Sequence, residues 1–450
     1  MGSGTARRAG PTVPRRFRAT AVGHGALFRR RSSAHRSVGR PGAPEVEPEV
    51  GPERVVRAPV SLGRVSRDVE VLAEPADEPG LVDAWRALAE AQGNAFTTPE
   101  WYAAYARHYG ADAPPFVVRV RDADGTLAGL LPLCRSGRTV RFAGANVGDR
   151  FGPVAQPGRE AEVARAAAGA LVREAVVLHN VDAGASWIAA LGEGLRGRVS
   201  STRLRGGVLP YVPLTGHTWD TFLGARSRNF RQQVRRKERA LVEGQGAVFR
   251  ATASPDEVNR DVAEFFRLHA ARWEDREGGS TITSPTVHAF HSDFAAAALE
   301  RGWLRMSFLE VGGDAAERSS TGRERVAVAA LYAWRIGGRY AYFQAGFDPA
   351  WAEKSVGLVL MAHTVRSAIS EGADEYDLLL GDESYKARFA TDEREVETLV
   401  VAGALDPTRL LAQVDAGVRR ATDGLSPEVR ARLRDLAKPV LARMPGTRSR

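Results

Sequence analysis

The chain of 450 residues has a single cysteine, Cys134. No disulfide can close within it, which suits a reducing compartment. Cys134 follows an apolar run in LLPLCRSG and reads as a small core residue, not a nucleophile. Long apolar runs are missing as well: none nears the ~18 residues needed to span a bilayer, so no transmembrane segment is expected. The basic start, MGSGTARRAGPTVPRRFRAT, has no adjoining apolar core and does not read as a secretory signal. The expected location is the cytoplasm, with a peripheral position on the inner membrane surface as a variant. A Gly-x-Ser-x-Gly elbow is absent, which argues against a serine hydrolase. His288 and His291 in HAFH have no acidic or Cys partners at ligand spacing, so no metal is expected. Lysine is scarce, and the net charge of +9 is carried almost wholly by arginine. That balance favours anionic partners, although GC-rich coding accounts for much of the Arg, Ala and Gly.

What is present is globular: 44% apolar and 26% charged residues, over a length that accommodates two or three domains. Residues 1–66 are rich in Arg, Pro, Gly and Ser without periodic hydrophobicity, and are expected to form a disordered arm. Order is expected from a strand near Val69. A helix over 81–92 ending at Gly93 and a second opened by Thr98-Pro99 follow. Strands at 116–120 and 127–133 flank the Asp124-Gly125 turn, and GANVGDRFGPVA is a Gly-punctuated loop. A helix at 160–174, a strand at 175–178 and a helix after Trp187 complete a first unit, 67–210. A second unit, 211–404, is expected to hold helices at 218–241, 256–273 and 286–300. Strands then come at 304–311, 326–336 and 339–345, a helix to Ser370 and a buried strand at 376–379. The polar stretch GGDAAERSSTGRER is expected to be a mobile loop, and 405–450 a basic helical tail. The repeated helix–hairpin–helix–strand order implies an α/β fold of two tandem units.

Three segments carry candidate chemistry. In YFQAGFDPAWAEKSVGLVLM a strand ends near Gly346, and Ser355-Val356-Gly357 then opens a helix. A helix start stabilises an anion without a charged side chain, and Gly357 would let one approach the backbone. Plain capping by Ser355 is the alternative reading, and neither GxGxxG nor a P-loop is present. In YDLLLGDESYKARFA, Asp377 opens a buried strand, Gly381 breaks it, and Asp382, Glu383, Tyr385 and Lys386 crowd the loop beyond. The carboxyl ends of strands in open α/β sheets are where ligands bind, while an ordinary charged turn is the alternative. In ARSRNFRQQVRRKERAL, Phe230, Val234 and Leu241 share one helical face, with Arg228, Arg231, Arg235 and Arg239 on another. A basic amphipathic helix suits an anionic substrate, nucleic acid or a membrane surface, or is a solvated face.

Together with FTTPEWYAAYARHYG, GDRFGPVA and the HAARW stretch, these segments resemble the CelD/BcsL-like family of GNAT acyltransferases, related to the FemAB aminoacyl transferases. The resemblance spans about residues 70 to 400. It implies two GNAT-like units with mixed sheets flanked by helices, the second being the acetyltransferase domain. It also implies acetyl-CoA or another acyl-CoA as co-substrate, held by Gln344, Ala345, Gly346, Lys354, Ser355, Val356 and Gly357. Arg228, Arg231, Arg235, Arg272 and Trp273 would contact the acceptor, a small molecule or a glycan of the cell envelope. Family members are often encoded beside polysaccharide biosynthesis functions. Asp377 or Asp382 would serve as base, Tyr385 would protonate the leaving thiolate, and Lys386 would hold a carboxylate or phosphate of the substrate. The usual Arg/Gln-x-x-Gly-x-Gly/Ala cofactor signature is absent, so charged tRNA stands as the alternative donor. A non-catalytic nucleic-acid or membrane-surface binder is a third reading.

Overall fold

The computed structural model describes residues 68–195, 200–273, 284–312, 325–381 and 383–403, with residue 282 and short pieces at 405–410 and 412–414. The expected arm at 1–66, most of the GGDAAERSSTGRER loop, Asp382 and most of the basic tail lie outside the described residues. The first half runs β1 (Asp68–Leu72), α1 (Leu81–Gln92), α2 (Pro99–Tyr109), β2 (Pro115–Arg121), β3 (Leu127–Ser136), β4 (Thr139–Phe142), β5 (Val154–Ala155), α3 (Glu160–Leu171), β6 (Ala175–Asp182) and α4 (Ser186–Gly194). β7 (Ser200–Pro213) carries the chain across to α5 (Trp219–Gly224), α6 (Arg228–Gln245), β8 (Val248–Ala251), α7 (Pro255–Trp273) and α8 (Pro285–Glu300). Then come β9 (Leu304–Val311), β10 (Val326–Ile336), β11 (Arg339–Phe347), α9 (Val356–Ser370), β12 (Glu375–Asp377) and β13 (Asp392–Ala402).

Local chemistry sets most of these bounds. Gly93, with φ of 62°, closes α1 in a left-handed turn that a side chain would strain. Thr98 accepts a bond from the Trp101 amide and Pro99 occupies the first turn of α2. The single helix expected over 218–241 is in fact two. Thr218 caps α5, and Ser227 leaves the helical region to cap α6 by accepting from the Phe230 amide. The strand expected at 376–379 is shorter, ending at Asp377. Five of the named strands were not expected: β4, β7, β8, β13 and the short β5, which falls inside the expected GANVGDRFGPVA loop.

The strands form one mixed sheet ordered β1-β2-β3-β4-β6-β13-β7-β12-β11-β10-β9-β8. Two pairs of named strands in it are parallel, β4 with β6 and β11 with β12, each bridged by a helix, α3 and α9 respectively. The two halves thus repeat one strand–helix–strand crossover, the tandem α/β architecture expected from the sequence. β13 inserts between β6 and β7, antiparallel to both, and knits the halves together. A shared core packs Trp101 of α2 against Phe290 and Phe294 of α8 and against Trp334 of β10. Among the described residues no helix is long and apolar enough to cross a membrane.

Candidate functional site

The pairing of β11 with β12 stops early. Only Arg339, Tyr340 and Ala341 meet Glu375, Tyr376 and Asp377, although β11 continues to Phe347. The chain after β12 turns to β7: the Leu378 amide donates to Pro210 O at 2.9 Å and the Gly381 amide to Val208 O at 3.2 Å. Asp377 makes that turn. Its Oδ1 accepts from the Leu379 amide at 2.9 Å and so supports the left-handed φ of 54° at Leu379. On its other side β11 bulges at Phe343, where its register against β10 shifts. The result is a wedge between two parallel strands that opens toward Gln344, Ala345 and Gly346.

At the mouth of the wedge stands the start of α9. Asp348 caps a short 3-10 turn, Pro349–Lys354, by accepting from the Ala350 amide at 2.9 Å. Ser355 then takes a left-handed φ of 61°, and its side chain makes no capping bond. Plain capping therefore does not account for this serine. The first turn of α9 holds no acidic residue. Its leading amides lack intrahelical partners and the dipole is uncompensated, the condition for binding an anion. A Cβ on Gly357 would find its nearest neighbour, Phe347 Cδ1, at 3.5 Å, which is ordinary contact. Nothing in the fold requires glycine there; its absence of side chain leaves the helix end open. Gly346 is different. A Cβ there would lie 2.2 Å from the His269 amide nitrogen, so α7 packing demands this glycine. Lys354 lies 4.2 Å over the Trp351 ring and donates to Gln245 of α6 at 2.7 Å. Val356 is buried in the core.

Beside the wedge lies an aromatic–cationic cluster. The Tyr342 and Tyr385 hydroxyls are 3.0 Å apart. Arg272 of α7 donates to Ala345 O at 2.9 Å, with its guanidinium 5.1 Å from the Tyr385 ring and 5.4 Å from those of Trp273 and Phe347. Burial, reinforced by Tyr342 and Glu383, holds the Tyr385 phenol well above its ordinary pKa, so it stays protonated. Gln344 bonds the His269 ring, whose pKa burial and then Arg272 depress to about 4. Lys386 is nearly fully buried, and its ammonium donates to Leu380 O at 2.8 Å and pairs with Glu383 at 3.0 Å.

The predicted residues do not all gather in one place. Gln344, Ala345, Arg272, Trp273 and Tyr385 meet at the wedge. Asp377 is wholly buried and faces Arg339 and Arg394, each 3.8 Å from its Oδ2. Burial raises its pKa against the pull of Arg339 and Arg150. Arg231 closes the end of α5, donating to Gly224 O at 3.0 Å and Arg226 O at 2.5 Å. Arg228 and Arg235 are exposed on α6, the latter beside Arg236 and Arg239 in a shallow basin of about 980 Å³. Tyr342 and Glu383 went unassigned in the sequence, because their partners are defined only by the folded chain.

His288 Nε2 donates to Ile282 O at 3.0 Å and the ring stacks on Phe266, while His291 is buried among aromatics. Among the described residues no group of His, Cys, Asp and Glu could hold a metal ion.

Comparison with known proteins fits this geometry. Residues 228–387 match the family model described as an acetyltransferase (GNAT) domain. The fold is that of the GNAT acyltransferases. FemX superimposes with a TM-score of 0.52 at 11% identity, over 70% of this chain and 95% of FemX. L-PGS of Bacillus licheniformis gives a TM-score of 0.46 at 14% identity, over 75% of this chain and 96% of its own. A tandem GNAT protein from the clavulanic acid biosynthesis pathway gives 0.42 at 15% identity, over 75% and 100%. No protein with a curated description matches this sequence.

Proposed function

We propose that the chain transfers an acyl group, acetyl in the simplest case, from acyl-CoA to an amine or hydroxyl of a small-molecule or glycan acceptor. The observation that carries this reading is the early end of β11–β12 pairing beside a helix start free of acidic residues. The first amides of α9, with Ser355 and Gly357, would take the pyrophosphate, and Lys354 stands close by for a further phosphate. The edge of β11 from Tyr342 to Gly346 would pair with the pantetheine arm, and a backbone N–H there would polarise the thioester carbonyl, contributing ~3 kcal/mol. CoA supplies the thioester and its sulfur leaving group. The acceptor nitrogen or oxygen forms a bond to the acyl carbon as the carbon–sulfur bond breaks. Tyr385, neutral by burial, gives its phenolic proton to the departing sulfur and recovers one that the acceptor has lost, relayed by solvent.

Tyr342 and Arg272 position that phenol. Asp377 shapes the wedge through the Leu379 turn, and its enclosure by arginines leaves Asp382, in our assignment, to take the acceptor's proton and pass it through solvent to Tyr385. Lys386 holds the loop closed. The CelD/BcsL likeness of the sequence favours an acceptor linked to the cell envelope. Arg228, Arg235, Arg236 and Arg239 on the outer face of α6 support a second reading, aminoacyl transfer from charged tRNA.

Calorimetric titration with CoA, acetyl-CoA and tRNA separates the two. Saturable CoA binding, with acylated product by mass spectrometry when aminosugars are offered, is the expected result. Binding of tRNA with none of CoA would overturn it.

A further inference from the structure

The first half has its own version of the wedge, and it holds a different cleft. There β4 pairs with β6 only at Thr139–Ala175 and Val140–Val176, and the chain leaves through 144–150 before Phe151 bridges Val181. The helix that spans this crossover, α3, opens with Glu160 and Glu162, and Glu160 accepts from the Gly158 amide at 2.9 Å. Carboxylates already compensate this helix end, which disfavours a pyrophosphate there. A cleft of about 450 Å³ remains in front of it, lined by Gln92, Asn94, Arg150, Glu160, Trp187 and Arg339.

Arg150 faces Asp182 directly, with Asp377 and Glu375 at longer range, yet one of its nitrogens is left without an acceptor among the described residues. Its Nε and Nη2 chelate Asp182 at 2.8 and 2.6 Å, while the buried Nη1 has no hydrogen-bond partner among the described residues. A buried guanidinium hydrogen left unbonded is costly and marks a missing acceptor. Arg339 contributes a second guanidinium, tied to Glu375 at 3.0 Å and Gly93 O at 3.0 Å. Across the cleft Glu160 meets, among the described residues, the weak donor Gln92 at 3.5 Å besides its own loop amide. Trp187, Phe151 and Pro153 supply an apolar wall.

We propose that this cleft binds a small molecule carrying an anionic group on Arg150 and an ammonium toward Glu160, independently of the acyl donor. The volume holds a ligand the size of a sugar phosphate, well short of CoA. Its site lies at the start of β11, whereas the donor wedge opens at the far end of the same strand.

The test is calorimetric titration of the full chain with glucosamine 6-phosphate, glucose 6-phosphate and glucosamine, with and without saturating CoA. Glucosamine 6-phosphate should bind saturably and tighter than either probe that carries only one of the two charged groups, and CoA should leave the affinity unchanged. Arg150→Gln should weaken it by about tenfold or more, the loss of a charged hydrogen bond. Since Arg150→Gln also disturbs Asp182, Ala91→Trp provides a second check. Ala91 is an exposed position of α1 that lines the cleft, and a bulky ring there should block the probe while leaving CoA binding intact. Failure of all three probes to saturate, competition by CoA, or undiminished binding in Ala91→Trp would each overturn the proposal. Failure of the probes to saturate leaves CoA binding untouched, so the two readings fail separately.

Discussion

The two crossovers, β4–α3–β6 and β11–α9–β12, have one topology and opposite electrostatics. In the first, the helix begins with Glu160 and Glu162, which disfavour an anion there. In the second, Ser355 adopts a left-handed conformation without capping, the first turn carries no acid, and Gly357 leaves the approach clear. A fold repeated within one chain supplies the scaffold twice, and in the proposed reading a few residues at a helix start decide which copy would take a phosphate. Ser355 is a non-glycine residue at positive φ, a conformation of ~1–2 kcal/mol cost that persists where its surroundings fix it.

The comparison breaks most violently at Gly346. Gly346→Val forces a Cβ into the α7 backbone and should lower unfolding free energy by about 3 kcal/mol in urea titration. An unchanged midpoint would show that α7 is not seated on β11. Next in size is the phenol pair. Tyr385→Phe should reduce acyl-transfer turnover ~100-fold with the donor Kd unaltered, and cost about 1 kcal/mol of stability through loss of the Tyr342–Tyr385 hydrogen bond, Tyr342 keeping Arg272 as a partner. Full turnover in that variant would remove Tyr385 from the reaction.

Acid should strain both halves through their buried histidines. His179 on β6 and His269 on α7 have pKa values depressed to about 4, principally by burial. Each is neutral in the fold, so its full contribution holds above the unfolded value near 6.5 and is lost as pH falls toward 4. For His269 the loss should reach about 2 kcal/mol at pH 5, read from urea unfolding at pH 7 and 5, and His269→Gln should abolish that share. Equal pH dependence in the variant would contradict the assignment. Smallest is Glu160→Gln. It should lower stability by about 0.5 kcal/mol, through the helix end it compensates, and leave CoA stoichiometry unaltered. A second CoA site in this variant would mean that charge alone separates the halves.

Elements with local punctuation were legible in the sequence: α1 through Gly93, α2 through Thr98-Pro99, and the β10–β11 hairpin through Gly337-Gly338. β7 and β13 were not. β7 is interrupted by Gly206-Gly207 and β13 opens on the charged run DEREVE, so both owe their strand conformation to each other and to β6 and β12. The same division holds at the site. The helix start at Ser355–Gly357 was legible because its chemistry is local, and its reading as an anion socket stands as a proposal. The Tyr342–Tyr385 bond joins residues 43 apart, and Asp377's part in turning the chain depends on β7 lying alongside. No pattern of spacing encodes either.

The central claim is that the start of α9 is open to a phosphate because it lacks what α3 has. Gly357→Glu gives the second helix the carboxylate of the first, and calorimetric titration with CoA reads the consequence directly. The account predicts that affinity falls by about 100-fold while unfolding free energy stays level or rises by ~0.5 kcal/mol, as an acid at a helix start stabilises the helix. Undiminished CoA binding by a folded Gly357→Glu protein would contradict it.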